Sequence, residues 1–158
     1  MAAVDVIDAY IEALPSATRR LAHGEWGLTV PAEEAAGWPL DVGIRLAEGV
    51  LGAQAQALDS SEGIDPWMLL WWNRQTRYVR FACTRGADPK DSPPLPDPSR
   101  EVWVHGELAV AAVDEREVDR LLGLVVEGAI AVREFQTAAR LAPKEPDPAG
   151  ASWLAGSD

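Results

Sequence analysis

Residues 65–83 read DPWMLLWWNRQTRYVRFAC, and two different periodicities meet inside this stretch. Asp65 suits the N-cap of a helix, and Pro66 suits its first position, where a missing backbone N–H costs no intrahelical hydrogen bond. The apolar run 67–72 continues that helix. From Tyr78 onward apolar and polar residues alternate, which is typical of a strand. The stretch therefore predicts a helix that leads directly into a strand, a unit around which a core can form.

The composition indicates a single globular domain and excludes several classes of function. At 158 residues the chain can bury about two thirds of its unfolded surface. Its formal net charge of −11 repels phosphate backbones, so we expect no nucleic-acid binding. No apolar run approaches the roughly 18 residues of a membrane span, and the N-terminus lacks the basic region of a signal peptide. With a single cysteine and no internal disulfide, we expect a cytoplasmic protein.

The N-terminal third predicts one helix and one strand. Apolar residues recur at helical spacing over residues 4–14, and Pro15 follows at once, so we predict an amphipathic helix that ends there. We expect only a short turn through Leu21. Alternation predicts a strand over residues 25–31, and residues 32–37 resemble a loop.

Residues 41–58 fit two structures. Alternation on both sides of Glu48-Gly49 predicts a hairpin with its turn at that pair. The rival is a single helix from about Arg45, because apolar residues four apart also share one helical face and alanine and glutamine favour helix. The glycines weaken that helix, so the pattern leaves both structures open and favours the hairpin.

The second half of the chain contains a proline-rich segment and a well-marked final helix. Residues 86–100 hold five prolines, which predicts an exposed loop between two strands, and the composition also resembles ligands of proline-binding modules. Asp114 and Glu117 resemble a capping box, and Val113 and Val118 occupy the positions of a hydrophobic staple. An apolar stripe follows, and the helix should end between Phe135 and Leu141, before Pro143.

These elements predict an α+β domain over residues 1–141, in which helices cover an antiparallel sheet of about five strands. The predicted order is α-β-β-β-α-β-β-α. The segment 142–158 is acidic and proline-rich and cannot bury enough apolar surface to fold, so we expect a disordered tail.

Two motifs link this order to a known family. Residues 71–81, WWNRQTRYVRF, take a helix through asparagine and polar residues into a strand, and residues 101–112, EVWVHGELAVAA, take a strand towards the capped final helix. Both resemble the YbjN family of bacterial proteins, above all its tryptophan-rich members from high-GC bacteria. The fold of that family is similar to that of type III secretion chaperones. The resemblance spans roughly residues 4–136, and the long proline-rich loop departs from the family's compact hairpin.

The resemblance implies a hairpin at residues 41–58 and a cytoplasmic, often dimeric, chaperone-like or regulatory protein. It supplies no catalytic residues, and neither does the sequence. Cys83 follows the inward alternation and should behave as a small buried hydrophobe. His23 and His105 are the only histidines, and no spacing resembles a metal site. We place His105 at a strand end facing solvent, and we expect no enzyme activity, metal or cofactor.

A basic stretch within this acidic chain is the one cluster of residues that indicates a binding site. Between Pro66 and Ala87 the charged residues are four arginines and no acid, namely Arg74, Arg77, Arg80 and Arg85. These arginines could pair with the protein's own acidic surface, including that of a second copy. They could instead form a recognition patch beside Trp71 and Trp72, because arginine and tryptophan dominate interface hot spots. Adjacent tryptophans cannot both face one core.

The favoured hypothesis is a non-enzymatic homodimer that binds an acidic or extended protein segment at the surface around residues 71–81. The predicted contact residues are Trp71, Trp72, Arg74, Arg77 and Arg80. A second hypothesis is a small-molecule sensor with a pocket lined by Trp26, Trp67 or Trp103. A third, a hydrolase using Cys83 or paired carboxylates, has no specific support in the residues.

Overall fold

The computed structural model describes residues 1–84 and 100–143. The predicted proline-rich loop, apart from Arg100, and the tail from residue 144 lie outside the described residues, and so does Arg85. The described part contains the following helices and strands: α1 (Ala3–Ala13), β1 (Ala17–Ala22), β2 (Glu25–Val30), β3 (Leu40–Ala47), β4 (Val50–Leu58), α2 (Pro66–Gln75), β5 (Val79–Cys83), β6 (Val102–Ala109) and α3 (Glu115–Leu141).

The strands form one antiparallel sheet in the order β1-β2-β3-β4-β6-β5, which confirms the α+β prediction. The sheet has six strands rather than about five, because β1 occupies residues where only a turn was expected. All but one residue of β1 are exposed, so no apolar periodicity marks it. It is an edge strand that pairs only with β2. Backbone hydrogen bonding therefore defines this strand, and side-chain patterning could not reveal it.

The two structures left open for residues 41–58 resolve as the hairpin. β3 and β4 pair antiparallel, with Ala47 opposite Val50. Glu48 and Gly49 between them have φ values of 52° and 78°. Two successive residues at positive φ are typical of the type I′ turn, whose twist matches that of the flanking strands. Backbone conformation at the turn therefore outweighs the helix propensity of the alanines.

The long helix α3 covers one face of the sheet. It begins after Asp114, whose carboxylate accepts a hydrogen bond from the backbone N–H of Glu117 at 2.8 Å, and it ends at Leu141, as predicted. Gly128 lets the helix approach the sheet closely, because a Cβ there would lie 3.2 Å from Val104 Cγ1 and 3.3 Å from the Phe81 ring. Val104 and Phe81, which face this glycine, are both buried.

Arg133 on α3 is a buried cation that ties the β2–β3 connection to the sheet. It is 1% exposed, and its guanidinium donates to four backbone carbonyls, those of Ala35, Trp38, Pro39 and Ala57. Its Cζ also lies 4.2 Å from the centroid of the Trp38 ring. Burial lowers the pKa of Arg133. Four carbonyl dipoles and the face of the Trp38 ring stabilise the guanidinium charge, which has no carboxylate partner among the described residues.

Polar contacts fix α1 against the rest of the fold. The indole Nε1 of Trp26 donates to Asp8 at 2.7 Å, and the Tyr10 hydroxyl donates to Asp119 on α3, also at 2.7 Å. Burial first, and the neighbouring carboxylate second, raise the pKa of Tyr10. Among the helices that can be described, none is long and apolar enough to cross a membrane.

Candidate functional site

The predicted site is built on α2 and the strand that follows it. The carboxylate of Asp65 accepts a hydrogen bond from the Trp67 backbone N–H at 2.9 Å, which confirms the expected N-cap. Thr76 ends the helix in an extended conformation, and β5 starts at Val79. The change of period in the sequence thus corresponds to a real helix-to-strand junction.

The inner face of α2 packs into the core. Leu69 is buried, and the Trp72 ring lies 5.5 Å from both the Phe81 and the Phe135 rings, measured between centroids. The two contacts are tilted and edge-on, arrangements that aromatic pairs prefer. Trp72, one of the predicted contact residues, therefore has a packing role and is only partly accessible.

Asn73 joins α2 to β5 in the way a neighbouring strand would. Its side-chain oxygen accepts from the Phe81 N–H at 2.7 Å, and its side-chain nitrogen donates to the Phe81 carbonyl at 3.0 Å. β5 is the last strand of the sheet, so these two backbone groups point away from β6. A covered edge is protected from pairing with other chains. The asparagine of the quoted motif thus has a structural role.

The outer face of α2 is apolar and uncovered. Trp67 is 76% exposed, Leu70 54% and Trp71 58%. These three residues and Arg74 lie three or four positions apart, so they share one side of the helix. We call Trp67, Leu70, Trp71 and Arg74 the α2 outer face. Trp67 and Leu70 are not among the predicted contact residues, because α2 is apolar on both sides and the spacing alone cannot show which side is buried.

The three predicted arginines occupy different positions around this face. Arg74 is in the last turn of α2, and Arg77 is exposed in the connection to β5. Arg80 projects from the sheet face opposite Val79 and Phe81, as predicted, and its guanidinium donates to the carbonyls of Thr76 and Val79. None of the three forms an ion pair with a carboxylate within residues 1–84 and 100–143. The structure thus places Trp71 and Arg74 on one face and Arg77 close by in sequence, but it turns Arg80 back onto the backbone.

The residues considered for catalysis have ordinary structural roles. Cys83 is partly buried against the core, and burial raises the pKa of its thiol although Arg100 opposes that shift. A raised pKa disfavours the thiolate, which is the nucleophilic form. His105 lies within β6 and not at a strand end, so that prediction was wrong; its Nε2 is 3.0 Å from Glu107. The described residues contain no cluster of potential metal ligands.

The three tryptophans proposed for a sensor pocket lie apart. Trp26 is in the core, Trp67 is on the α2 outer face, and Trp103 alternates with core residues along β6 and so faces the opposite side of the sheet. A depression of about 670 Å³ does lie on the open face of the sheet, where only buried Trp26 among the three contributes to the lining. The described residues therefore provide no pocket built by these tryptophans.

Solved structures that share this fold include YbjN and a chain of the ExsC–ExsE complex. The E. coli protein YbjN, described only as a candidate transcription regulator, superposes with a TM-score of 0.59 over 87% of this chain and 92% of its own, at 14% identity. A structure of the ExsC–ExsE complex gives a TM-score of 0.51 over 92% of this chain and 100% of the matched chain, also at 14% identity. No family model and no curated protein matches the sequence. At this identity the likeness establishes the fold, and it confirms the fold implied by the resemblance to YbjN.

Proposed function

We propose that this protein is a non-enzymatic, YbjN-like binding protein of the cytoplasm with a chaperone-like or regulatory role. It self-associates, and it holds an acidic or extended segment of a protein partner at the surface of α2 and β5, around residues 71–81. The observation that carries the proposal is the exposure of the α2 outer face next to arginines without carboxylate partners in the described part of the chain.

Exposed tryptophans at helical spacing are unusual on a protein that acts alone. At 76% and 58% exposure, Trp67 and Trp71 together present on the order of 300 Å² of mainly apolar surface. That approaches the size of the largest apolar patch on a typical monomer, and such patches mark sites of interaction. Tryptophan and arginine are also the residues most enriched among interface hot spots.

The electrostatic contrast favours an acidic partner segment. The chain carries −11 overall, yet Arg74, Arg77 and Arg80 form a local cationic area. Attraction between that area and carboxylates would speed encounter and orient the partner, while the surrounding acidic surface would repel acidic segments that arrive elsewhere. In the ExsC–ExsE complex, one of the chains has this fold, which is consistent with partner binding by such a domain.

The test compares captures from native cell extract with three tagged baits: the wild type, the double variant Arg74→Glu/Arg77→Glu, and a matched control, Arg19→Glu/Arg116→Glu. The control changes the net charge by the same amount at two other exposed positions. Arg80 is left intact because it donates hydrogen bonds to the backbone. Circular dichroism must first show that all three baits are folded.

A protein captured by the wild type and the control, and lost with the Arg74/Arg77 variant, would support the proposed site. Loss from both variants to the same extent would mean that only net charge matters. Equal capture by all three baits would refute a role for these arginines.

A further inference from the structure

The segment 144–158, which follows the described residues, combines acidic residues with two large apolar side chains. It reads KEPDPAGASWLAGSD, so it holds three carboxylates, one lysine and the adjacent pair Trp153 and Leu154. Its other apolar residues are alanine and proline. The α2 outer face and its neighbouring arginines would bind a ligand with this same combination of apolar and acidic side chains.

The end of α3 places the start of this segment beside α2. Gln136 donates a hydrogen bond to the Glu62 carbonyl at 2.9 Å. One turn later, Arg140 forms an ion pair with the Glu62 side chain at 3.7 Å. Asp65, three residues after Glu62, is the N-cap of α2. The chain therefore leaves α3 beside the N-terminal end of α2, on which Trp67 lies.

The segment is long enough to reach the whole α2 outer face. Trp153 follows Pro143 by ten residues, which span at most about 33–36 Å when extended and about 16–19 Å as a flexible coil. The ten residues of α2 form a helix about 15 Å long. Trp153 and Leu154 can therefore reach any part of the face while the described fold stays as it is.

We propose that segment 144–158 docks on the α2 outer face of its own chain and covers it. Trp153 and Leu154 pack against the exposed apolar side chains of that face. Attraction of the segment's carboxylates to Arg74 and Arg77 orients it, because the chain is acidic overall. The segment thus occupies the site of the acidic partner, which must displace it. This competition rests on the proposed function, whereas the docking does not.

Tethering makes weak docking sufficient to cover the face. A short linker holds a segment near its site at an effective concentration of about 1 mM, so an intrinsic dissociation constant of about 0.1 mM keeps the face covered about nine-tenths of the time. The face is then open in about one molecule in ten, and the apparent dissociation constant of a partner is about tenfold higher than without the segment.

The first test is hydroxyl-radical footprinting of the purified full chain, in which mass spectrometry measures the oxidation of each tryptophan. Trp38, on the β2–β3 connection, is the internal reference, because it is 41% exposed, less than Trp67 at 76% and Trp71 at 58%. With the segment docked, Trp67 and Trp71 should be oxidised more slowly than Trp38. Exposure in the described residues alone would give the opposite order.

Two variants of the segment complete the footprinting test. Trp153→Ser/Leu154→Ser removes both large apolar side chains, so the oxidation rate of Trp67 should rise by up to about tenfold. Ala149→Ser/Ala151→Ser is the matched control, because it places two serines in the same segment and keeps the apolar pair; it should match the wild type. Circular dichroism must show that both variants are folded.

Three outcomes would overturn the proposed docking. Trp67 that is reactive in both the wild type and the Trp153→Ser/Leu154→Ser variant would mean that nothing covers the face. Trp67 that is protected in both, and becomes reactive on dilution, would mean that a second copy covers it. A rise in oxidation at Trp38 alone would place the segment on another surface.

Capture from native cell extract separates this inference from the proposed function. The Trp153→Ser/Leu154→Ser bait should recover a partner that depends on Arg74 and Arg77 at about one tenth of the concentration that the wild-type bait requires. Equal capture by the two baits would refute the competition. Footprinting uses the purified chain alone, so the docking can be demonstrated when no partner is recovered, and a partner can be recovered when the footprint shows no docking.

Discussion

Replacing Arg133 tests whether a buried cation without a carboxylate partner stabilises the fold. Arg133→Met keeps an apolar stem of similar length and removes the guanidinium. The carbonyls of Ala35 and Ala57, on residues with no exposed surface, each lose a donor. An unsatisfied buried acceptor costs about 1–3 kcal/mol, so the two cost about 2–6 kcal/mol. Because the guanidinium no longer has to be buried, part of that cost is offset.

We therefore expect the free energy of unfolding to fall by about 3 kcal/mol. For a chain of 158 residues each kcal/mol corresponds to about 2–4 °C, so the melting temperature should fall by about 6–12 °C. Arg133→Lys should lose nearly as much, because one ammonium group cannot reach four carbonyls that are divided between the β2–β3 connection and β4. Urea denaturation followed by far-UV circular dichroism measures both variants.

The control for these variants is Arg140→Met. Arg140 lies on the same helix, but its ion pair with Glu62 is 3.7 Å long and both side chains are at least half exposed. A surface pair of this kind contributes about 0–1 kcal/mol. If Arg133→Met loses no more stability than Arg140→Met, the carbonyl contacts do not stabilise the fold and the reasoning is refuted.

Two further predictions concern the contacts that position α2 and α1. Asn73→Ala removes both hydrogen bonds to Phe81, so we expect the free energy of unfolding to fall by about 1–3 kcal/mol and the Phe81 amide to exchange its hydrogen faster. The control is Gln75→Ala at an exposed position of the same helix, which should stay within about 0.5 kcal/mol of wild type. Burial and Asp119 raise the pKa of Tyr10 in the folded state. Above pH 10.0, the usual pKa of a tyrosine, the unfolded state therefore loses a proton that the folded state keeps. Because the unfolded state then binds fewer protons, the stability of the fold should fall as the pH rises past that value. Tyr10→Phe should make that fall shallower in urea titrations at successive alkaline pH values.

Either outcome of these two experiments is informative about the fold. An unchanged Phe81 amide in Asn73→Ala would mean that packing of Trp72, and not the amide contact, covers the edge of β5. An equally steep alkaline decline in Tyr10→Phe would assign the pH dependence to other groups.

At the α2–β5 junction, local sequence signals were sufficient to predict the structure. Asp65, Pro66 and the change from helical to alternating periodicity were enough to predict the helix, its start and the strand after it. The final helix was predicted as well, because Asp114 and the apolar stripe identify it without reference to the rest of the chain. The glycine-containing turn at Glu48-Gly49 is also visible in the sequence, and with the alternation on both sides it favours the hairpin over residues 41–58.

Edge and surface features could not be predicted in the same way. β1 has almost no buried side chain, so it leaves no pattern, and its strand structure depends on backbone pairing with β2. The role of Arg133 depends on carbonyl groups that lie 76 to 98 residues away in the chain. The role of Asn73 depends on how α2 packs beside β5. The Val-His-Gly sequence favours a strand end at His105, but β6 continues through Gly106 to Ala109.

The sequence by itself determined every helix and strand except β1, and their order, because caps, turns and hydrophobic periodicity act over a few residues. Only the tertiary structure decided which side of α2 is buried. Both sides of that helix are apolar, and the choice depends on the shape of the sheet edge that receives Trp72. As a result Trp67, Leu70 and Trp71 remain exposed beside Arg74, and the candidate site follows from how the helix packs.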